Sequence, residues 1–175
     1  MCYAENGLNM ENKPMTTRRI WRILLLAAFI LVAPTATWSQ ATLQIIEKRG
    51  LRFGEWAADE VGTGTVTIPP TSDTTTSSGG LISFGGNIKR ARFQLIGEPK
   101  AFVIVTLPSS ITIRKGTSSH VMTVDNFTMN LTNPVKLNNK GKKTINIGAT
   151  LHVGAGQRQG NYNDDNTFTI FADYL

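Results

Sequence analysis

The chain has one cysteine in 175 residues, at position 2, and only two histidines. So poor a supply excludes a disulfide framework and cannot close a tetrahedral zinc site unaided. Aromatic residues make up 8% of the chain. So low an aromatic content argues against a stacking platform for nucleic acid. Helical periodicity is also missing: after residue 40 no window repeats apolar residues at three- and four-residue spacing. The one apolar run long enough to notice, Ile23 to Ala33, falls short of the roughly 20 residues a membrane span needs.

That run belongs to a targeting signal. Arg18, Arg19 and Arg22 precede it, Pro34 closes it, and Thr37/Ser39 or Ser39/Ala41 occupy the −3/−1 positions of a cleavage site. This is the pattern of a secretory signal peptide, and Met15 suits its start better than Met1 or Met10. Residues 1–39 are therefore expected to be an extension and signal, and 40–175 one domain that passes through the periplasm to the cell surface or the medium. Lys13, Arg18, Arg19, Arg22, Glu5 and Glu11 leave with the signal, so the formal charge falls from +6 to +4. Cys2 leaves too, and stability must come from a core that a domain of this size can build.

What is present is β-pattern. Leu43–Phe53, Thr65–Ile68, Leu81–Phe84, Ala91–Ile96, Ala101–Leu107, Ile111–Ile113, Val121–Phe127 and Leu131–Leu137 read as strands. Gly or Pro punctuation recurs every eight to twelve residues. Ala101–Leu107 is apolar enough to be buried on both faces. Thr71–Gly80 reads as a polar loop without an apolar anchor, and Gly85-Gly86 as a turn. Ile145, Ile147, Ala149, Leu151 and Val153 alternate on one face, and Phe168, Ile170, Ala172 and Tyr174 do the same in the last run. The expected fold is an all-β sandwich.

Candidate sites are few. Gly154, Gly156 and Gly160 follow a strand but lead to Asn and Asp rather than to a helix, so they read as a glycine-rich strand end and the loop of a hairpin with the last run, not a dinucleotide cradle. Asn163-Asp164-Asp165-Asn166 could offer oxygens to calcium but lacks the spacing of a helix–loop–helix calcium loop, and Asn and Asp also serve turns. Ser118, Ser119, His120 and Asp125 supply the residue types of a nucleophilic triad without a nucleophile elbow. His152 alternates with the apolar positions and reads as a surface residue. No catalytic, cofactor or metal site is expected. Lys140, Lys142 and Lys143 at a hairpin tip, with Lys89, Arg90 and Arg92 as a second group, are a candidate surface for anionic polymer or glycan.

The segments LRFGEWA (51–57), TGTVTIPP (63–70), FQLIGEPKAFVIVTLPSSITI (93–113), MTVDNF (122–127) and the run from Ile147 to Leu175 resemble a bacterial secreted family, the domain of unknown function forty-four-oh-two. The resemblance covers the mature chain and extends to spore coat protein U and chaperone–usher pilins. It implies a single immunoglobulin-like Greek-key sandwich and a non-enzymatic structural role. The family offers no catalytic residues. The pilin likeness further implies assembly by strand addition, with a periplasmic chaperone and an outer-membrane usher as partners. Leu43 and Ile45 would then lie on a donor segment, and Phe168, Ile170, Ala172 and the penultimate Tyr174 would border the receiving groove. A monomeric surface module for glycan or anionic polymer is the other expectation.

Overall fold

Residues 41–58, 60–163 and 168–175 are described by a computed structural model, all within one compact unit. The signal expected over 1–39 and most of the candidate calcium cluster, Asp164–Asn166, lie outside them. The described residues form twelve strands and no helix. They are β1 (Gln44–Arg49), β2 (Arg52–Ala58), β3 (Gly64–Ile68), β4 (Thr76–Gly79), β5 (Leu81–Lys89) and β6 (Ala91–Ile96). Then come β7 (Phe102–Thr106), β8 (Ser110–Arg114), β9 (Val121–Met129), β10 (Val135–Lys136), β11 (Lys142–Val153) and β12 (Phe171–Tyr174). All pairings are antiparallel. Among the described residues no helix is long and apolar enough to cross a membrane.

The twelve-residue β11 organises the large layer. Its first half pairs with β6, its second half with β3, and its other edge with β9 from Ile147 onward. The partner change falls at Gly148, where an added Cβ would run into the Ile68 carbonyl. With β1 beside β6, β4 beside β3 and β8 beside β9, the layer has seven strands. Its inner face carries the alternating residues expected from the sequence: Ile145, Ile147, Ala149, Leu151 and Val153 are all buried.

The second layer is in two pieces. Sheet β10-β7-β12 covers the core built on Phe93, Leu95, Ile145 and Ile147. The ribbon β2-β5 covers a second core on Val66, Val124, Ala149 and Leu151, against which Phe53, Trp56 and Ala58 pack. Leu51 and Phe127 touch both. Each core removes aliphatic side chains from water at about 25 cal/mol per Å2.

Several sequence expectations are corrected here. Leu43–Phe53 is two strands, because the chain changes layers at Gly50-Leu51. Gly85 and Gly86 lie inside β5 at positive φ, since the ribbon bulges opposite Glu55 rather than turning there. Residues 76–79 of the supposed loop pair with β3. In β7 only Val103 and Val105 are buried, while Phe102 and Ile104 face outward at 44% and 40% exposure. Most of Leu131–Leu137 is not strand, because the Asn133 carboxamide takes the place of a backbone pair, donating to Val105 O (2.8 Å) and accepting from Val105 N (3.0 Å). The last two runs are not a hairpin: β11 and β12 lie in different sheets.

Candidate functional site

The last strand alternates as its sequence demands. Ile170 is buried and Phe168, Ala172 and Tyr174 pack on the first core, while Phe171, at 63% exposure, and Asp173 point out. Phe168 stacks on Phe127 (4.9 Å between centroids, 14° between planes) and meets Phe93 edge-on at 5.6 Å. β12 pairs with β7 from Phe171–Thr106 to Tyr174–Val103. The Leu175 N–H donates to Phe102 O at 3.0 Å. Antiparallel alternation then turns the N–H and C=O groups of Ala172 and Tyr174 away from β7, toward an edge that no described strand occupies. β7's opposite edge is covered by β10 and by Asn133. The open edge is therefore β12's own.

Tyr174 also ties two other segments together. Its hydroxyl donates to Ala41 O and accepts from Glu98 N–H, both at 2.7 Å, so it clamps the start of the domain to the β6–β7 turn. Leu43 and Ile45, expected on a donor segment, are placed in this chain's own core, and Ile45 sits in β1 opposite Leu95 of β6. They could serve another subunit only by abandoning that position. The outer face of β7 and β12 exposes Phe102, Ile104 and Phe171, and the Lys136 ammonium stands 5.3 Å from the Phe102 ring centre.

The lysine tip is braced by Asn138, whose Oδ1 accepts from the N–H groups of Lys140 and Lys142 at 2.9 Å each. The facing turn is tied to it by Gly97 N–H to Gly141 O (2.8 Å) and Lys100 N–H to Asn138 O (3.1 Å). The backbone of Lys100 thus lies against the tip that carries Lys140, Lys142 and Lys143, a proximity that sequence distance had hidden.

The hydroxyl and imidazole groups singled out in the sequence do not converge. The Ser118 hydroxyl donates to Lys115 O (2.7 Å). Asp125 meets not His120 but His152, whose Nε2 lies 2.8 Å from Oδ1 on the exposed face of β9 and β11. Among the described residues no three His, Cys, Asp or Glu side chains gather as a metal would require.

Asp73 is a centre the sequence reading missed. Its carboxylate meets Arg49 at 2.9 Å and Lys89 and Arg90 at 3.6 Å each, and accepts from Arg90 N–H at 3.1 Å. Partial burial pushes this carboxyl up. The Arg90 hydrogen bond and the charges of Arg49, Lys89 and Arg90 outweigh it, holding the group below its ordinary 3.8. The only available signal was a lone acid in a Thr/Ser run, with no residue to say which cations it would meet.

A family model described as a domain of unknown function (DUF4402) matches residues 43–174. No curated protein and no solved structure matches the chain.

Proposed function

We propose that this chain, which belongs to the DUF4402 family, is an exported structural subunit of a fimbrial type that assembles by accepting a strand at the edge of β12. The observation that carries the reading is that edge. The backbone groups of Ala172 and Tyr174 point outward without a strand partner among the described residues, directly over a hydrophobic core. An open edge is a template for another chain, and proteins that do not use one usually shield it with charge, proline or a cover. Here the neighbouring outward side chains are Phe171, Phe102 and Ile104, with Asp173 among them. Backbone pairing would supply affinity and the side-chain alternation register. The strand would come from a neighbouring copy, whose segment around Leu43 and Ile45 leaves its packed position to pair here. A periplasmic chaperone would occupy the edge before an usher exchanges it for a neighbouring subunit.

Ala172→Pro tests this directly. It removes an outward N–H and leaves the ladder to β7 intact, which an edge strand tolerates. The mature domain is expected to form filaments or higher assemblies in electron microscopy and size-exclusion chromatography. The variant should melt normally and stay monomeric. A wild-type domain that remains monomeric at every concentration would sink the proposal.

A further inference from the structure

Between β2 and the loop 156–163 a cleft runs over the inner face of the large layer. It encloses about 1010 Å3. Its floor is aliphatic: Ile111, Ile113, Met122, Val124, Leu151 and Val153. Val124, Leu151 and Val153 are buried in the second core, and the half-buried Ile111, Ile113 and Met122 pack against it, where a sandwich ordinarily has a further strand.

One wall is β2. It pairs with β5 along one edge only, and no other backbone-to-backbone hydrogen bond involves residues 52–58 among those described. The Trp56 indole donates to Phe53 O at 2.7 Å, which fixes the ring against the ribbon. The facing wall is held in place. Arg114 and Asn163 exchange both backbone hydrogen bonds (2.8 and 2.9 Å), Lys115 Nζ donates to Gln159 O, and Gln157 Nε2 donates to the Tyr162 hydroxyl at 2.7 Å. The cleft is thus built before any ligand arrives.

The rim is rich in carboxamides: Asn87, Gln157, Gln159, Asn161 and Asn163. A carboxamide offers both donors and an acceptor, the same inventory as a peptide group. The charged lining, Glu47, Glu55 and Glu60 against Arg52 and Arg158, has an acidic excess. Phe53, Trp56, Tyr162 and Phe168 add aromatic faces to the lining, but the unpaired edge of β2 beside them favours an extended polypeptide, whose backbone can pair there, over a sugar. The aliphatic floor suits the alternate side chains of such a segment.

We infer that this cleft binds an extended peptide segment, uncharged and aliphatic at alternate positions with basic flanks, by adding it as a strand to the free edge of β2. Seven residues of β2 span roughly 23 Å, which sets the length of the segment. Phe168 lines this cleft as well as packing below β12, but the β12 edge itself, Phe171–Tyr174, lines none of it, and the site does not require assembly there.

The probe is an acetylated and amidated octapeptide, Lys-Thr-Val-Thr-Val-Thr-Val-Lys, beside a control with proline in place of each threonine. Hydrogen–deuterium exchange of the mature domain is the readout. The threonine peptide should slow exchange of the amides in 52–58 by about tenfold or more, and the proline peptide should not. Met122→Lys, which puts a charged head into the floor, should lose the effect while melting near wild type. Protection confined to 171–174 would overturn this inference and leave the β12 reading standing. No protection at all would overturn it too, with the β12 reading still judged by its own filaments. Slowed exchange around the cleft with chitohexaose but not with the peptide would replace the peptide by a glycan and so also overturn it.

Discussion

At the residue scale, Asp73 shows how one side chain gives a polar segment its place. It draws Arg49 of β1, Lys89 of β5 and Arg90 to a single carboxylate and so pins the run that precedes β4. Because the native carboxyl titrates below 3.8, the unfolded chain binds more protons near that pH. Stability from this group is fully present above the unfolded value and fades as pH falls through the lowered native one. Asp73→Asn should cost about 1 kcal/mol at neutral pH. The gap in melting temperature to wild type should close in acid, at pH values below 3.8. A gap independent of pH would refute the electrostatic account. Tyr174 was legible in the sequence as a penultimate aromatic on a buried face. Its two hydrogen bonds were not, because Ala41 and Glu98 are brought to it by other elements.

Among elements, β11 is the one most visible beforehand and the one whose use was least visible. Its five alternating apolar residues announced a strand with one buried face, and all five are buried. That it serves β6, β3 and β9 follows from its length and from Gly148, where the edge of the layer passes from one partner to the next. Gly148→Ala should push the Cβ into backbone at Ile68 and Pro69. A loss of about 2 kcal/mol or more in urea unfolding is expected. A neutral substitution would mean that β3 can slide. β7 teaches the opposite lesson. Its continuous Val/Ile run looked buried on both faces, but an apolar side chain does not reveal whether a second layer lies beyond it. Phe102 and Ile104 face solvent, beside the edge where a partner is proposed.

For the whole molecule, the two ends of the described domain meet. Tyr174 bonds to Ala41, and Leu43, Ala172 and Tyr174 pack on one core. Closing the chain on itself in this way makes the terminal strands mutually dependent. Tyr174→Phe keeps the ring and deletes both hydrogen bonds, and should lower stability by roughly 1 kcal/mol in urea denaturation. Exchange should quicken at the amides of both β1 and β12. Faster exchange at β12 alone would show that the ends are not coupled.

The amino-acid sequence by itself determined the class of fold and the inward faces. Alternation, β-branched residues and glycine or proline punctuation are local properties, and they carry β3, β6, β9 and β11 of the large layer and the packing of 168, 170, 172 and 174, though not β4, whose Thr/Ser run reads as loop. Only the tertiary structure decided which strands are neighbours. It separated β11 from β12, kept Leu43 and Ile45 packed in this domain, brought Lys100 to the lysine tip and Asp73 to its three cations, and left the outer edges of β2 and β12 without a strand partner among the described residues. Those outcomes depend on backbone pairing between distant segments. Backbone hydrogen-bonding groups are nearly the same in every residue, so the side chains record which face is buried but not which edge is free.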